Sequence, residues 1–470
     1  MMPPPLPPEV FDALPPAVQY YIRCLEALAG QVAGLTARVA ELEAQLGRNS
    51  SNSHQPPSSD GPHVKPAPPR KPGGKRRGGQ SGHPRHDRVL LPPDETHDRK
   101  PVRCRRCCTK LQGDDPDPMV DQVLELPEKL RHVVHYRRHR LCCPRCRTVT
   151  TAEPVPEART GFGPRLTAAT GYLSGVGRLG KRTIRSLYTD LFGIPMALGS
   201  VCKLEARVSR SLQPVYEEAL ADSRGRDANV DETGWKEGSK RAWLWVAVTQ
   251  WVTVFLIHAN RNRAAFDDLV GPTPGILTTD RFPVYTHLKP DRRQVCWAHL
   301  RRDFQAMLDR DTAGRRIGAD LMVVADTLFE HWQKVRDGTR TRRWFEREHV
   351  DTLRSEMRRH LRRGTRCGCA KTEAVCRDLL ACQTSLWTFA SATGVEPTNN
   401  AAERAVRHAV CWRKTSYGTD GETGSRFVER ILTVVASCRS QCRGVLEFLT
   451  RAVDPERDSS QKLTLLPAVA

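Results

Sequence analysis

Apolar residues recur at alternating spacings of three and four along residues 18–46. The a positions of this heptad are Leu25, Val32, Val39 and Leu46, and the d positions are Leu28, Leu35 and Leu42. β-Branched residues at two a positions, with Leu at every d position, favour a parallel two-stranded coiled coil. A single amphipathic helix packed on its own domain is the alternative, although the flanking sequence is Pro-rich and polar. We therefore predict a coiled coil over residues 17–47 and a homo-oligomer formed through it.

The heptad is followed by a segment without hydrophobic periodicity. Residues 48–100 contain the polar run RNSSNSHQPPSSD and a basic run rich in Gly and Pro, with eight Lys and Arg between Lys65 and Arg88. Such a composition cannot bury enough apolar surface to fold alone. We predict a disordered basic linker over 48–100 whose Lys75, Arg76 and Arg77 contact DNA phosphates. A purely solvated linker is the alternative interpretation.

Helical periodicity returns after residue 160. The pattern predicts helices at 165–175, 181–191 and 199–221, with a break at 193–195 where Gly and Pro disfavour helix. Three helices with short breaks over residues 160–222 are compatible with a helix-turn-helix DNA-binding region. A plain helical connector would give the same pattern.

From residue 226 onward the pattern changes to short runs rich in Val, Ile, Trp and Leu. We predict strands at 229–231, 242–249, 252–258, 275–280 and 294–299, and a helix at 263–270. Three strands, a helix and a further strand indicate half of a mixed α/β sheet. Residues 300–392 are helical and basic, which predicts a helical insertion. A helix carrying Glu403 and an apolar helix at 426–449 would close a domain at 223–450, leaving a tail at 451–470.

Charge and cysteine content narrow the function classes. A formal net charge of +21 and a pI of about 9.6 favour a polyanionic partner, with nucleic acid ahead of a membrane surface. No segment reaches the roughly 18–20 apolar residues of a membrane span. Neither a basic n-region nor an apolar h-region opens the sequence, so we expect a cytoplasmic protein. Sixteen cysteines in a reducing compartment indicate metal ligands and buried thiols.

Four of these cysteines form two CxxC pairs. Cys104 and Cys107 make the first pair, and Cys143 and Cys146 the second. Four thiolates close a tetrahedral structural Zn²⁺ site, although the spacer of 35 residues between the pairs exceeds the common 15–20. The doublets at 107–108 and 142–143 leave the ligand choice open by one position. We predict a zinc-finger-like unit over residues 101–150; buried or reactive thiols are the alternative.

Three acids stand at positions where strands end or a helix begins. Asp231 and Asp280 end predicted strands, and Glu403 lies in NNAAERAVR at a helix start. Two Mg²⁺ ions held by such carboxylates can catalyse phosphodiester chemistry. Turn formation would also explain the aspartates, and the spacing of Asn400 and Glu403 is that of a capping box. Neighbouring acids that could replace members of the set are Glu232, Glu422 and Glu429.

A further Cys and His stand three positions apart in Cys296-Trp-Ala-His299. This spacing could supply half of a second zinc site. No convincing second pair accompanies it, since Cys367 and Cys369 lie in the predicted insertion. A packed Cys and His at the end of a strand is the favoured interpretation.

Several motifs in register resemble a known family. VDETGW with WLWVAV, LTTDRFPVY, CWAHLRRDF, EPTNNAAERAVR and WRKTSYGT follow one another in the order found in the insertion sequence 66 family of bacterial transposases. The N-terminal heptad, the RNSSNSHQPPSSD and GGKRRGGQSGH stretches and the Cys-rich segment extend the resemblance over most of the chain. It implies a DDE-type enzyme with an RNase H-like catalytic core.

The resemblance also implies a mechanism and partners. Asp231, Asp280 and Glu403 would form the DDE triad, with Mg²⁺ or Mn²⁺ as cofactor. The substrates would be terminal inverted repeats and target DNA, with accessory proteins encoded by the same element. The enzyme would hydrolyse 3′ ends and transfer them to target DNA. A catalytically inactive DNA-binding protein and a metal-dependent nuclease of the same fold are the alternatives.

Basic residues of the last motifs are further candidate DNA contacts. They are Arg404, Arg407, Arg413 and Lys414, with Trp412 beside the last two. For Trp412, Arg413 and Lys414, a solvated helix end is the alternative interpretation.

Overall fold

A computed structural model of the protein describes most of the chain. The described residues are 7–47, 91–103, 105–117, 120, 122–124, 126, 130–153, 161–272, 274–310, 313–454 and 462–467. Two compact units arise from the contacts between them. One comprises residues 67–155 and 181–201, and the other comprises residues 1–66, 156–180 and 202–470.

The N-terminal heptad lies on a single long helix. A short helix α1 (Pro8–Asp12) precedes α2 (Pro16–Leu46). The seven apolar a and d side chains of α2 are 42–85% exposed, so the described part of this chain leaves the stripe uncovered. The predicted helix is confirmed, and its pairing with a second copy stays a prediction. Most of the predicted linker, residues 48–90 with Lys75, Arg76 and Arg77, lies outside the described residues.

The smaller unit contains the thiol-rich segment. Strands β1 (Arg140–Cys142) and β2 (Val149–Thr151) pair antiparallel around the Cys143–Cys146 turn. An isolated bridge between Arg103 and Lys110 closes a second turn around Cys107. Helix α4 (Lys181–Phe192) belongs to the same unit.

Three helices occupy the region predicted as a helix-turn-helix. They are α3 (Pro164–Gly175), α4, and α5 (Leu198–Ser223), which contains Pro214. The predicted bounds were correct to within two residues, and the break falls at Gly193, whose φ of +59° favours glycine. Helix α3 and most of α5 belong to the larger unit, whereas α4 belongs to the smaller one. A DNA-reading role for the three helices stays a prediction.

A five-stranded mixed sheet forms the centre of the larger unit. Its strands are β3 (Ala228–Glu237), β4 (Lys240–Val248), β5 (Thr253–His258), β6 (Leu277–Thr279) and β7 (Arg293–Val295), in the spatial order β5-β4-β3-β6-β7. Strand β4 is antiparallel to β3 and β5, whereas β6 is parallel to β3 and β7. Helix α6 (Arg263–Val270) crosses between β5 and β6, as the pattern predicted.

Two strand predictions were wrong in their extent. Strand β3 runs to Glu237 instead of ending at Asp231, because a two-residue turn with Gly238 at φ +58° joins it directly to β4. The strand predicted at 294–299 ends at Val295 and continues as helix α7 (Trp297–Leu308). His299 therefore lies in the first turn of a helix and not on a strand.

Helices make up the predicted insertion and have their own apolar core. After α7 they are α8 (Gly314–Arg336), α9 (Arg342–Phe345), a π-helical stretch Glu346–Val350, α10 (Asp351–Gly364), α11 (Ala370–Ala381) and α12 (Thr388–Ser391). Trp297, Trp332, Trp387 and Phe389 are buried together in this core. It is separate from the core cluster beneath the sheet, which contains Trp245 and Phe255.

The C-terminal helical prediction needs one correction. After α13 (Asn400–Ser416), the single helix expected at 426–449 is two helices, α14 (Glu422–Ser440) and α15 (Val445–Val453), separated where Cys442 adopts a φ of +55°. Part of the predicted tail also packs into the domain, since Leu465 is fully buried. No helix in the described ranges combines the length and the apolar character that crossing a membrane requires.

Helix α14 protects the edge of the sheet with a row of polar side chains. Glu429, Thr433 and Ser437 lie four residues apart and accept the backbone N–H groups of Ile257, Phe255 and Thr253 at 2.6, 3.1 and 3.0 Å. These N–H groups belong to edge strand β5, which would otherwise present unpaired donors. The row explains why polar residues occupy the buried face of an apolar helix.

We expect the Glu429→Gln substitution to change how stability depends on pH. Burial raises the pKa of the fully buried Glu429 carboxyl to about 7. The folded state therefore retains a proton that the unfolded state releases near pH 4.5, so wild-type stability falls as pH rises from about 4.5 to about 7. Glutamine keeps an acceptor for Ile257 and does not ionise. Urea unfolding should show that the free energy of unfolding of the variant rises relative to that of the wild type by about 2–3 kcal/mol as pH increases from about 4.5 to about 7. A difference that stays constant with pH would contradict the assignment.

Candidate active site

Asp231 and Asp280 lie side by side because their strands are parallel neighbours. Strand β3 pairs with β6 through Asn229 and Thr278. Each aspartate stands two residues beyond this pair, so the two are brought to the same position along the sheet. Asp280 Oδ1 also accepts the backbone N–H of Phe282 at 2.8 Å, which orients the carboxylate at the end of β6.

Glu403 reaches the same place through the start of α13. Asn399, fully buried, donates from Nδ2 to the carbonyl of Val230 at 2.7 Å, and Asn229 Nδ2 donates to the carbonyl of Thr398 at 3.3 Å. These bonds attach the start of α13 to β3 directly before Asp231. Glu403 lies one helical turn further along α13, and its charge is among those that act on Asp231.

The capping-box interpretation of Asn400 and Glu403 was wrong. The N-cap residue of α13 is Asn399, one position earlier, and its side chain makes no capping hydrogen bond. Glu403 instead lies 3.1 Å from the guanidinium of Arg302 and 3.6 Å from His299 Nδ1, measured from its Oε1. Its side chain is committed to this cluster and not to the helix end.

The charges of three other acids act on Asp231. Burial raises the pKa of the Asp231 carboxyl to about 8, and the neighbouring charges of Glu232, Asp280 and Glu403 contribute to this rise. Carboxylates held together in this way repel one another unless a cation or a proton compensates them. Hard divalent ions such as Mg²⁺ prefer such oxygen ligands. The donors thus fit a divalent metal in kind, while the carboxylate oxygens of Asp231, Asp280 and Glu403 do not all lie within 4.8 Å of one another in this structure.

Cys296 and His299 join this cluster. The ligand atoms of Cys296, His299 and Glu403 all lie within 4.8 Å of one another, and no other such trio occurs among the described His, Cys, Asp and Glu residues. The buried Cys296 thiol accepts the backbone N–H of Asn399 at 3.1 Å. Burial lowers the pKa of His299, and the charge of Arg302 lowers it further. His299 Nδ1 and Asn399 Oδ1 are buried without a hydrogen-bond partner in the described structure, so both are available to a bound ion or its waters.

The CxxH spacing of Cys296 and His299 is a local feature of the sequence, but it contains only part of the ligand cluster. The second half of the cluster comes from Glu403, which stands on α13 and follows the whole insertion. The useful signal was a Cys at the N-cap and a His in the first turn of a helix that follows a central strand.

The alternative acids are engaged elsewhere. The side chain of Glu232 is 2% exposed and bonds with Tyr285 at 2.5 Å and with the Arg261 guanidinium. Arg261 in turn stacks on Phe282, with its guanidinium 3.7 Å from the ring centroid. Glu232 thus holds β3 to the segment that follows Asp280 instead of replacing Asp231. The remaining two are Glu422, which is largely exposed, and Glu429, which is bound to strand β5.

The predicted DNA contacts on α13 divide into two groups. Arg404, Arg407 and Lys414 are exposed. Arg413 is half-buried and donates to Thr233 Oγ1 at 3.1 Å and to the carbonyl of Gly234, so it fastens α13 to β3. Trp412 is buried in the core.

The described thiols of the zinc candidate form two similar turns. In each turn the residue after the second Cys of the CxxC pair has a φ of +60°. The Sγ atom of that Cys, Cys107 or Cys146, lies 3.3 Å from the hydroxyl oxygen of the Thr two positions later. Hydrogen bonding to Thr148 lowers the pKa of Cys146 to about 7, as suits a metal ligand. Cys104 lies outside the described residues, and Cys107, Cys143 and Cys146 do not form a close trio in this structure.

Comparison with known proteins identifies the family of this chain. A match to a family of unknown function spans residues 7–89. The uncharacterized protein y4qI of Sinorhizobium fredii is 26% identical over 195 residues, which cover 38% of this chain. The chain thus spans about a third (35%) of that relative's length. The model of the transposase IS66 family matches residues 160–426, more than half of the chain and all three acids. The protein therefore belongs to the IS66 family of transposases.

Proposed function

We propose that the protein is a DDE-type DNA transposase that cuts the 3′ ends of an insertion sequence and joins them to target DNA. The observation that carries this proposal is the placement of Asp231 and Asp280 two residues beyond a paired position of the parallel strands β3 and β6, with Glu403 of α13 among the charges that act on Asp231. The sheet order β5-β4-β3-β6-β7, with the last two strands parallel to β3, supports an RNase H-like core.

The chain's own residues define the reaction site. Asp231, Asp280 and Glu403 would hold two Mg²⁺ or Mn²⁺ ions, which supply activation of the attacking oxygen and stabilisation of the leaving oxygen in an in-line displacement at phosphorus. The Arg261–Glu232–Tyr285 network fixes the segment after Asp280 relative to β3. Arg302 compensates the charge of Glu403 at 3.1 Å when no metal is bound. The exposed Arg404, Arg407 and Lys414 would contact the DNA backbone.

The smaller unit would bind DNA around a structural Zn²⁺. Cys104, Cys107, Cys143 and Cys146 would be its ligands, and the similar geometry of the two CxxC turns supports this assignment. The linker residues Lys75, Arg76 and Arg77 would add phosphate contacts. Terminal inverted repeats, target DNA and accessory proteins of the same element are the proposed partners.

Two assays separate this function from its alternatives. Duplex DNA carrying the element's inverted repeats should acquire free 3′-OH ends in Mg²⁺ or Mn²⁺. Pre-cut ends should then be joined to a target plasmid. Cutting without joining would favour a nuclease of the same fold, and binding of ends without either reaction under any divalent metal would favour an inactive DNA-binding protein.

We propose that α2 pairs with α2 of a second copy. Replacing Val32 and Leu35 by Asp should give protomers of half the mass by light scattering, because each buried Val or Leu contributes about 1.5–3 kcal/mol. Replacing Ala33 and Ala37 by Asp adds the same charge outside the heptad seam and is the matched control. A control variant that dissociates equally, or a Val32/Leu35 variant that keeps the wild-type mass, would contradict the coiled-coil interface.

A further inference from the structure

Helix α10 of the insertion has one apolar face and one strongly basic face. Its buried side chains include Leu353, Met357 and Leu361, which pack into the core of the insertion. Six arginines and a single acid, Glu356, occupy residues 354–366, and all six arginines are exposed. The segment therefore presents a net charge of +5 (six minus one) to solvent, while its packing uses only the opposite face.

Three of these arginines form a row along α10, and a fourth follows the helix end. Arg354, Arg358 and Arg362 are spaced by four residues, which aligns their side chains along one ridge of the helix, and Arg366 lies four residues further on in the turn after it. Neighbouring members are about 6 Å apart along the axis. The row follows the helix to its end, since α10 ends at Gly364 and Arg366 comes two residues later.

The members of the row make no ion pair with any described acid. The ion pairs described for this helix instead involve His360 and Arg363, which lie 3.2 and 3.1 Å from Asp320. Arg354 lies over the face of Trp387, at 5.9 Å from the ring centroid. Exposed arginines that the fold does not pair with carboxylates are suited to an external anion.

A cleft near the start of the row adds to the positive surface. Arg354 lines it together with Arg343 and Arg347. Glu346 and Asp351 supply the acidic side chains of its lining, so the arginines outnumber the acids by three to two. The guanidinium groups of Arg343 and Arg347 therefore extend the positive surface at the N-terminal end of the row.

We propose that this arginine row binds the sugar-phosphate backbone of duplex DNA, so that the insertion holds DNA in addition to the carboxylate site. A polyanion with regularly spaced charges matches a linear row of guanidinium groups, each of which can hydrogen-bond a phosphate in bidentate fashion. The contact is independent of base sequence, because phosphates carry no direct sequence information. The inference rests on the proposed function only for the identity of the polyanion as DNA.

The test measures DNA binding by the full-length Asp231→Asn protein, so that no cleavage occurs. A fluorescent 30-base-pair duplex without inverted repeats is titrated at several KCl concentrations between about 50 and 300 mM. When Arg358→Gln and Arg362→Gln are added to this parent protein, we expect its affinity for the duplex to fall about tenfold at low salt. The slope of log K against log salt should become shallower by about 1.8, because each phosphate that an arginine neutralises contributes about 0.9 to it.

A matched pair of substitutions controls for net charge. Arg363→Gln/Arg377→Gln also removes two positive charges from the insertion, but these two arginines are paired with Asp320 and Glu373. This control should leave the salt slope within about 0.5 of the parent value. An unchanged slope in the row variant, or an equal decrease in the control, would overturn the proposal. Because the assay needs no catalysis, its outcome is separate from that of the cleavage and joining assays.

Discussion

Substituting Asp231 by Asn is expected to reduce metal-dependent cleavage of element ends by about a thousandfold or more. The carboxylate would bind the ions that stabilise charge at the transferred phosphorus, a contribution of several kcal/mol, and each interval of about 1.36 kcal/mol is a factor of ten in rate. Initial rates of 3′-end formation on a labelled duplex at saturating Mg²⁺ would measure the loss. Asp291→Asn, which removes an exposed acid outside the site, should retain wild-type activity.

The same variant should be at least as stable as the wild type. The raised pKa of Asp231 shows that its ionised form is unfavourable in the metal-free fold. Wild-type stability therefore falls as pH rises from about 4 towards 8, and Asn lacks this dependence. In chelator at about pH 8.5, above both pKa values, the thermal midpoint of the variant should exceed that of the wild type. Retained cleavage by a stably folded Asp231→Asn protein would remove Asp231 from the catalytic set.

Loss of zinc is expected to unfold the thiol-rich segment alone. Structural Zn²⁺ contributes about 10–16 kcal/mol of apparent binding free energy to small zinc units, and the described part of this segment contains only two three-residue strands. Purified protein should contain one zinc per chain. A chelator should make residues 91–153 sensitive to protease while the thermal transition of the larger unit is kept.

Cysteine variants identify the zinc ligands. Cys143→Ser should abolish the bound zinc measured by atomic emission, whereas Cys24→Ser, which alters an exposed thiol on α2, should leave it unchanged. Zinc that persists in Cys143→Ser but disappears in Cys296→Ser would move the ion to the cluster of Cys296, His299 and Glu403. The zinc-finger assignment would then be wrong.

Local patterns predicted much of the fold because they depend on neighbours in sequence. Helices α3, α4 and α6 follow from 3.6-residue periodicity and from Gly and Pro breaks, and the hairpin of β4 and β5 from runs of Val, Ile and Trp. Predictions failed where tertiary contacts extend or end an element. Strand β3 is lengthened by pairing with β4. Strand β7 is cut short because helix α7 begins after Cys296, whose thiol accepts the Asn399 N–H.

The site shows the same division. Asp231, Asp280 and Glu403 could be named from motifs, but their nearness could not, since 123 positions (403 − 280) separate Asp280 from Glu403. The Asn399 bond to Val230 brings these segments together. Only the packed structure distinguishes Asp231 from its neighbour Glu232, which is satisfied by Arg261 and Tyr285.

The sequence by itself determined which chemistry this protein carries: its acids, its thiol pairs, its heptad and its positive charge are all local features. The tertiary structure decided which of these groups meet. It places the ligand atoms of Cys296 and His299 next to those of Glu403. Arg413 and Glu429 form hydrogen bonds within the fold, whereas the arginines of α10 stay exposed. The reason is physical, because burial, charge coupling and hydrogen bonding depend on distances between segments that sequence spacing does not encode.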